Sequence, residues 1–154
     1  MEKKQLLLLL LAAALLGGVF YLARDWFQPD NIQIGSTIRP NRLSERQQKR
    51  LGPAVKNQPY TVSFFFNRKL ELESVRLVKS EELATNRFAH PLWELVSDSN
   101  SVPVKTIVYG VPIRGMKPKV KGAQADLLEP RVPYRLLLKT TDQEAVYDFT
   151  LGQK

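Results

Sequence analysis

From Tyr60 to the C-terminus the chain is a succession of short runs in which apolar and polar residues alternate, each run closed by turn formers. A period of two sends successive side chains to opposite faces of an extended backbone, so each run can bury one face and leave the other wet. Several such runs must share one core, which predicts an all-β fold of the sandwich type. Seven strands are expected, at 60–66, 70–78, 91–97, 104–111, 118–127, 134–140 and 146–151. In the first, Val62, Phe64 and Phe66 alternate with Thr61, Ser63 and Phe65; in the second, Val75 and Leu77 oppose Ser74 and Arg76. The last two form a hairpin across Thr141, Asp142 and Gln143.

The segment Leu128, Glu129, Pro130, Arg131, Val132, Pro133, Tyr134 spaces Leu, Pro and Tyr as they stand before the sixth strand of fibronectin type III and related immunoglobulin-like domains. It resembles their tyrosine corner, and the resemblance implies an immunoglobulin-like Greek-key β-sandwich. There Pro130 stiffens the crossover, Leu128 fills the core beneath it, and the Tyr134 hydroxyl bonds a backbone group upstream while its ring stays buried. Pro133, directly before the tyrosine, departs from that pattern but favours the extended approach the crossover needs. A wider pattern runs from Trp93 through Tyr109, Gly110, Val111, Pro112, Ile113, Arg114, Gly115 and Met116 to the corner and Phe149. It is similar to small bacterial envelope proteins with an N-terminal signal or anchor, which implies a fold and a location but no activity. Gly110 and Gly115 are expected at positive backbone angles or close contacts, and Pro112 at an edge or bulge.

Ahead of this domain, residues 6–23 contain no charged or strongly polar side chain, starting with six leucines and including Leu6, Leu11, Leu16 and Ala23. Such a run predicts one transmembrane signal-anchor helix, reaching roughly 27 Å at about 1.5 Å per residue. Lys3 and Lys4 precede it as in an export signal, which places the C-terminal domain outside the cytoplasm, anchored to the bacterial cytoplasmic membrane. Small residues suited to signal peptidase are poorly placed, so retention is the reading, with a cleaved and secreted form as its alternative. The expected organisation is a basic N-terminus at 1–5, the helix at 6–23, a basic linker at 24–57 and the sandwich at 58–154.

Within the linker, Ser44 and Gln47 have capping-box spacing and Gly52 with Pro53 supplies a stop, so a short helix is expected near 44–51. Ile32, Ile34 and Ile38 hint at an additional edge strand. The formal net charge is +8, with nine Lys and Arg against four Asp and Glu in residues 1–56 and fourteen against eleven in the remainder. Arg39, Arg42, Arg46, Lys49, Arg50 and Lys56 make the densest basic stretch, read either as a contact for anionic headgroups or as a solvated linker. Lys117, Lys119 and Lys121 would face one side of an extended chain, either as an anion-facing row or as protection of an edge strand.

Chemistry is sparse. Cysteine is absent, which excludes disulfides and thiolate metal sites, and His90 is the sole histidine, so neither a histidine metal pair nor a triad is expected. Glu81 and Glu82 are neighbours, and Glu71 and Glu73 share a strand face, without the opposed environments that acid and base carboxylates need. Trp93, Tyr109, Tyr134 and Phe149 are placed in the core, which argues against nucleic acid as a partner. The expectation is a non-catalytic interaction or accessory module without cofactor or metal, whose partner is another envelope protein. The alternative is an electrostatic adaptor gripping anionic lipid or polymer through the basic linker.

Overall fold

The structure is a computed structural model that describes residues 3–22, 31–41, 44–51 and 58–152. The chain divides into two compact units, Met1–Asn31 and Ile32–Lys154.

The first unit holds helix α1, Lys3–Leu22. Among the described residues no helix is long and apolar enough to cross a membrane, which overturns the transmembrane signal-anchor expected at 6–23. The helix places Lys3, Lys4 and Gln5 in its first turn and ends at Leu22. Its apolar part is therefore roughly 25 Å long, short of the roughly 30 Å of hydrocarbon in a bilayer. Gly17 and Gly18 further interrupt its apolar surface. Leu6 and Leu11 lie in α1, Leu16 is exposed on it, and Ala23 lies outside the described residues.

The second unit is mainly β. Its strands are β1 (Ile34–Pro40), β2 (Tyr60–Leu70), β3 (Leu72–Lys79), β4 (Trp93–Ser97), β5 (Val104–Val108), β6 (Met116–Pro118), β7 (Pro133–Thr140) and β8 (Glu144–Thr150). Helix α2 (Glu45–Leu51) follows β1, and α3 (Ser80–Thr85) follows β3. One antiparallel sheet has the order β1-β2-β5 and the other the order β6-β4-β3-β7-β8. Residues from both sheets form a single core cluster, so the arrangement is sandwich-like. Phe64 of the small sheet meets Phe149 of the large one edge to face, with ring centres 5.2 Å apart.

Alternation explains which side chains enter that core. In β2, Val62, Phe64 and Phe66 are buried while Thr61, Ser63 and Phe65 face outward; in β7, Tyr134, Leu136 and Leu138 are buried. At about 25 cal/mol per Å² of apolar surface, each fully buried Phe or Leu contributes roughly 1.5–3 kcal/mol. The hairpin of β7 and β8 turns where Thr140 and Gln143 bond each other, with Lys139 opposite Glu144.

One hinted strand forms and one expected strand falls short. The edge strand hinted at by Ile32, Ile34 and Ile38 within the linker appears as β1, which pairs with β2 along its whole length, from Ile34 opposite Phe66 to Pro40 opposite Tyr60. Ile34 and Ile38 pack against the core, which is why this strand is recruited. Conversely, the strand expected at 118–127 shrinks to Met116–Pro118. Beyond it the chain turns: Ala123 N–H donates to Val120 O across Gly122, whose φ of +81° favours glycine.

The tyrosine corner sits at the entrance to β7. The Tyr134 ring is fully buried, its hydroxyl accepts the Glu129 N–H at 2.7 Å and donates to the Glu129 carbonyl at 3.2 Å. Leu128 is buried beneath the crossover, and Pro130 is exposed before Arg131, which adopts φ +64°.

Candidate functional site

The outer face of the three-stranded sheet is the most distinctive surface of the domain. Register brings its outward residues into three cross-strand rows: Gly35, Phe65 and Thr106; Thr37, Ser63 and Val108; and Arg39 with Thr61. Short residues predominate, so the backbone surface lies open, and Thr37, Arg39, Pro40, Thr61, Ser63, Phe65 and Thr106 line a groove of about 530 Å³. Phe65 is 47% exposed although it sits at the middle of the sheet. The reason is Gly35 directly opposite: a Cβ built there would collide with the Phe65 ring, so the missing side chain is what lets the ring lie against the strand. One ring face covers Gly35 and leaves the remainder of the aromatic surface to solvent. Beside it, Thr37, Ser63 and Thr106 offer hydroxyls that both donate and accept, whereas the Thr61 hydroxyl oxygen is buried. Arg39 is exposed and forms no ion pair among the described residues.

Two further hollows among the described residues bear on the chemistry weighed from the sequence. One, of about 290 Å³, is lined by His90, Trp93, Leu95, Lys119, Val120 and Ala123. At its rim His90 Nε2 lies 3.1 Å from Asp126 Oδ2, with the two side chains 74% and 49% exposed. Catalytic use of that pair would require a nucleophile on the histidine, and among the described residues Asp126 is its only side-chain hydrogen-bond partner. The second, of about 360 Å³, gathers Glu71, Glu73, Ser97, Ser99, Ser101 and Thr141. Glu71 and Glu73 thus do share a concavity, contrary to the sequence reading, but the Lys139 ammonium holds Glu73 at 3.5 Å. No group of three potential metal ligands occurs among the described residues.

The residues singled out from sequence divide between core, turns and surface. Trp93 and Tyr109 are buried and meet edge to face at 5.3 Å; Phe149 stacks near Tyr147 and Tyr134. The Tyr109 hydroxyl donates to Asp126 O at 2.8 Å, and burial first, then the Asp126 charge, raises its pKa far above that of an ordinary tyrosine. Burial likewise raises that of Tyr134, against the lowering effect of its bond to the Glu129 backbone. Gly110 (φ +77°) and Gly115 (φ +79°) each occupy the third position of a hydrogen-bonded β-turn, as a type II turn demands, and Pro112 is exposed between them.

The basic residues are not brought together. Arg39 belongs to the groove on β1, whereas Arg46, Lys49 and Arg50 are exposed on α2 and Arg42 and Lys56 lie outside the described residues, as do Gly52 and Pro53. Helix α2 begins at the expected cap, with Ser44 N–H and hydroxyl both donating to Gln47 Oε1 at 3.2 Å. The row of Lys117, Lys119 and Lys121 is broken, because β6 stops at Pro118 and Lys121 lies in the Gly122 turn. Lys119 is engaged with Glu94 at 2.9 Å, and Lys117 sits on a very short edge strand of the large sheet, where a charge discourages pairing with other chains.

Sequence reasoning missed Phe65 and Gly35 as a pair, although an aromatic at an outward position of an alternating strand was a visible signal. It also missed Gln58, which is buried and spans two segments. Its Nε2 donates to Asp126 O at 2.6 Å and its Oε1 accepts Leu128 N–H at 3.2 Å, fastening the approach to the tyrosine corner. No protein-family model, curated protein or solved structure matches the chain.

Proposed function

We propose that the chain is a non-catalytic binding module that engages its ligand on the outer face of the three-stranded sheet. The observation that carries this reading is Phe65, an aromatic ring held flat on Gly35 and left half open to water in a groove of about 530 Å³. Exposed aromatic surface on an ordered strand costs little entropy to engage, because the ring is already positioned. The groove volume falls within the several hundred Å³ usual for ligand sites. The hollow at His90 and the cleft at Glu73 supply no comparable platform, since their aromatic or charged groups are already committed to Tyr109, Asp126 and Lys139.

Nuclear magnetic resonance titration of the full chain tests the reading, with cellobiose, a uronate trimer and a proline-rich peptide as probes. The expected result is a set of amide shifts confined to residues 35–39, 61–65 and 104–108. Shifts centred on His90 and Lys119, or no shift with any probe, would refute it.

A further inference from the structure

Resting on that reading, the geometry points to an acidic oligosaccharide as the ligand of the outer face. Three features converge on this chemistry. The first is the Phe65 ring, whose flat, uncharged face suits the C–H face of a pyranose; Gly35 sets its orientation before any ligand arrives. The second is the set of hydroxyls from Thr37, Ser63 and Thr106. A hydroxyl both donates and accepts, as sugar hydroxyls do, so the two sets can satisfy each other whichever way each rotor turns. Threonine is stiff at χ1, which keeps those oxygens from scattering over many rotamers.

The third feature is Arg39. Its guanidinium has no carboxylate partner among the described residues, and its fork geometry suits two carboxylate oxygens at once. It stands opposite Thr61, four residues along β2 from Phe65. That separation is about 13 Å along the strand, longer than one sugar ring and suited to a chain of about two or three units. One ring would stack on Phe65 while a carboxylate further along meets Arg39.

Other ligand classes fit less well. An added peptide strand pairs with a sheet edge through backbone groups, whereas Phe65 lies on the face of the central strand β2, which is already paired on both sides. Nucleic acid would require a track of cations for its phosphates, and the groove holds one. A lipid chain would meet hydroxyls along most of the surface.

Calorimetric titration of the full chain tests the inference, with trimers of galacturonate, mannuronate and glucuronate, each beside its neutral methyl ester. At least one acid trimer should bind about three- to tenfold more tightly than its ester, by the strength of an exposed charge-assisted hydrogen bond. Arg39→Gln should erase that preference, lowering acid binding to the level of the ester. Phe65→Ala should weaken acid and ester alike by about tenfold, with Phe65→Trp restoring both. Gly35→Ala, which keeps Phe65 but displaces its ring, should act like Phe65→Ala while circular dichroism shows an unchanged fold.

Equal binding of acid and ester, unaffected by Arg39→Gln, would overturn the acidic specificity and leave the face as a binding site. Failure of every trimer, with Phe65-dependent self-association in sedimentation or Phe65-dependent shifts from the proline-rich peptide, would overturn the saccharide assignment alone. Failure of every probe to respond to Phe65→Ala would overturn the outer face itself.

Discussion

Gly115 and Gly122 have nearly the same backbone angle, φ +79° and φ +81°, at the same position of similar turns, yet their surroundings are opposite. A Cβ on Gly122 would meet nothing within 4 Å. Alanine there should cost only the strain of a left-handed conformation, about 1 kcal/mol once the stiffer unfolded chain is counted. A Cβ on Gly115 would collide with the Asn100 carbonyl and crowd the Ser101 Cα, both of them backbone. Relief requires the loop at 98–101 to withdraw, and that loop is bonded to the same turn through Asp98 N–H to Gly115 O at 3.1 Å. Adding about 1 kcal/mol for the bond and about 1–3 kcal/mol for overpacking puts Gly115→Ala at roughly 3–5 kcal/mol in all. Urea and thermal unfolding followed by circular dichroism reads both variants. At about 4 °C per kcal/mol, Gly122→Ala should lower Tm by about 4 °C and Gly115→Ala by about 12–20 °C. Equal losses in the two variants would show that the close approach at Gly115 does not govern stability and would refute the packing argument.

Removing the Tyr134 hydroxyl with Tyr134→Phe should lower stability by about 1–3 kcal/mol in urea unfolding, since both backbone groups of Glu129 lose a partner. Tyr109 has its folded pKa raised, so its contribution is intact below about pH 10 and is lost as pH climbs toward the folded value, because only the unfolded chain ionises readily there. Denaturation midpoints measured across the alkaline range should therefore fall less steeply for Tyr109→Phe than for the unaltered chain. Asp148 behaves in the opposite sense: its bond to Arg135 holds its pKa below the ordinary 3.8, so its contribution stands above that pH and disappears as pH drops through the lower folded value. Asp148→Asn should narrow the gap between urea midpoints at neutral and acid pH; an unchanged gap would remove the pair from any account of acid sensitivity.

Period-two alternation by itself determined most of the strands from Tyr60 onward, the one expected at 118–127 excepted, and which of their side chains turn inward, because an extended chain must send neighbours to opposite faces. Val62, Phe64, Leu136 and Leu138 could be assigned to the core on that ground, and the spacing of Leu128, Pro130 and Tyr134 marked the crossover before β7. The turn glycines at 110 and 115 were legible for an equally local reason, the backbone angle a tight turn requires. The apolar run at 6–23 announced a helix, but where that helix starts and stops, and hence its apolar reach, depends on its two ends and was misjudged. What only the tertiary structure decided is pairing between distant segments. The recruitment of β1 beside β2, the bonds of Gln58 to residues 68 and 70 positions away, and the seat of Phe65 on Gly35 all depend on contacts across the chain. No local period encodes such contacts, since they form only when burial of a shared core brings remote strands into register. The candidate binding face is made of those pairings, so its residues were visible in the sequence while the face was not.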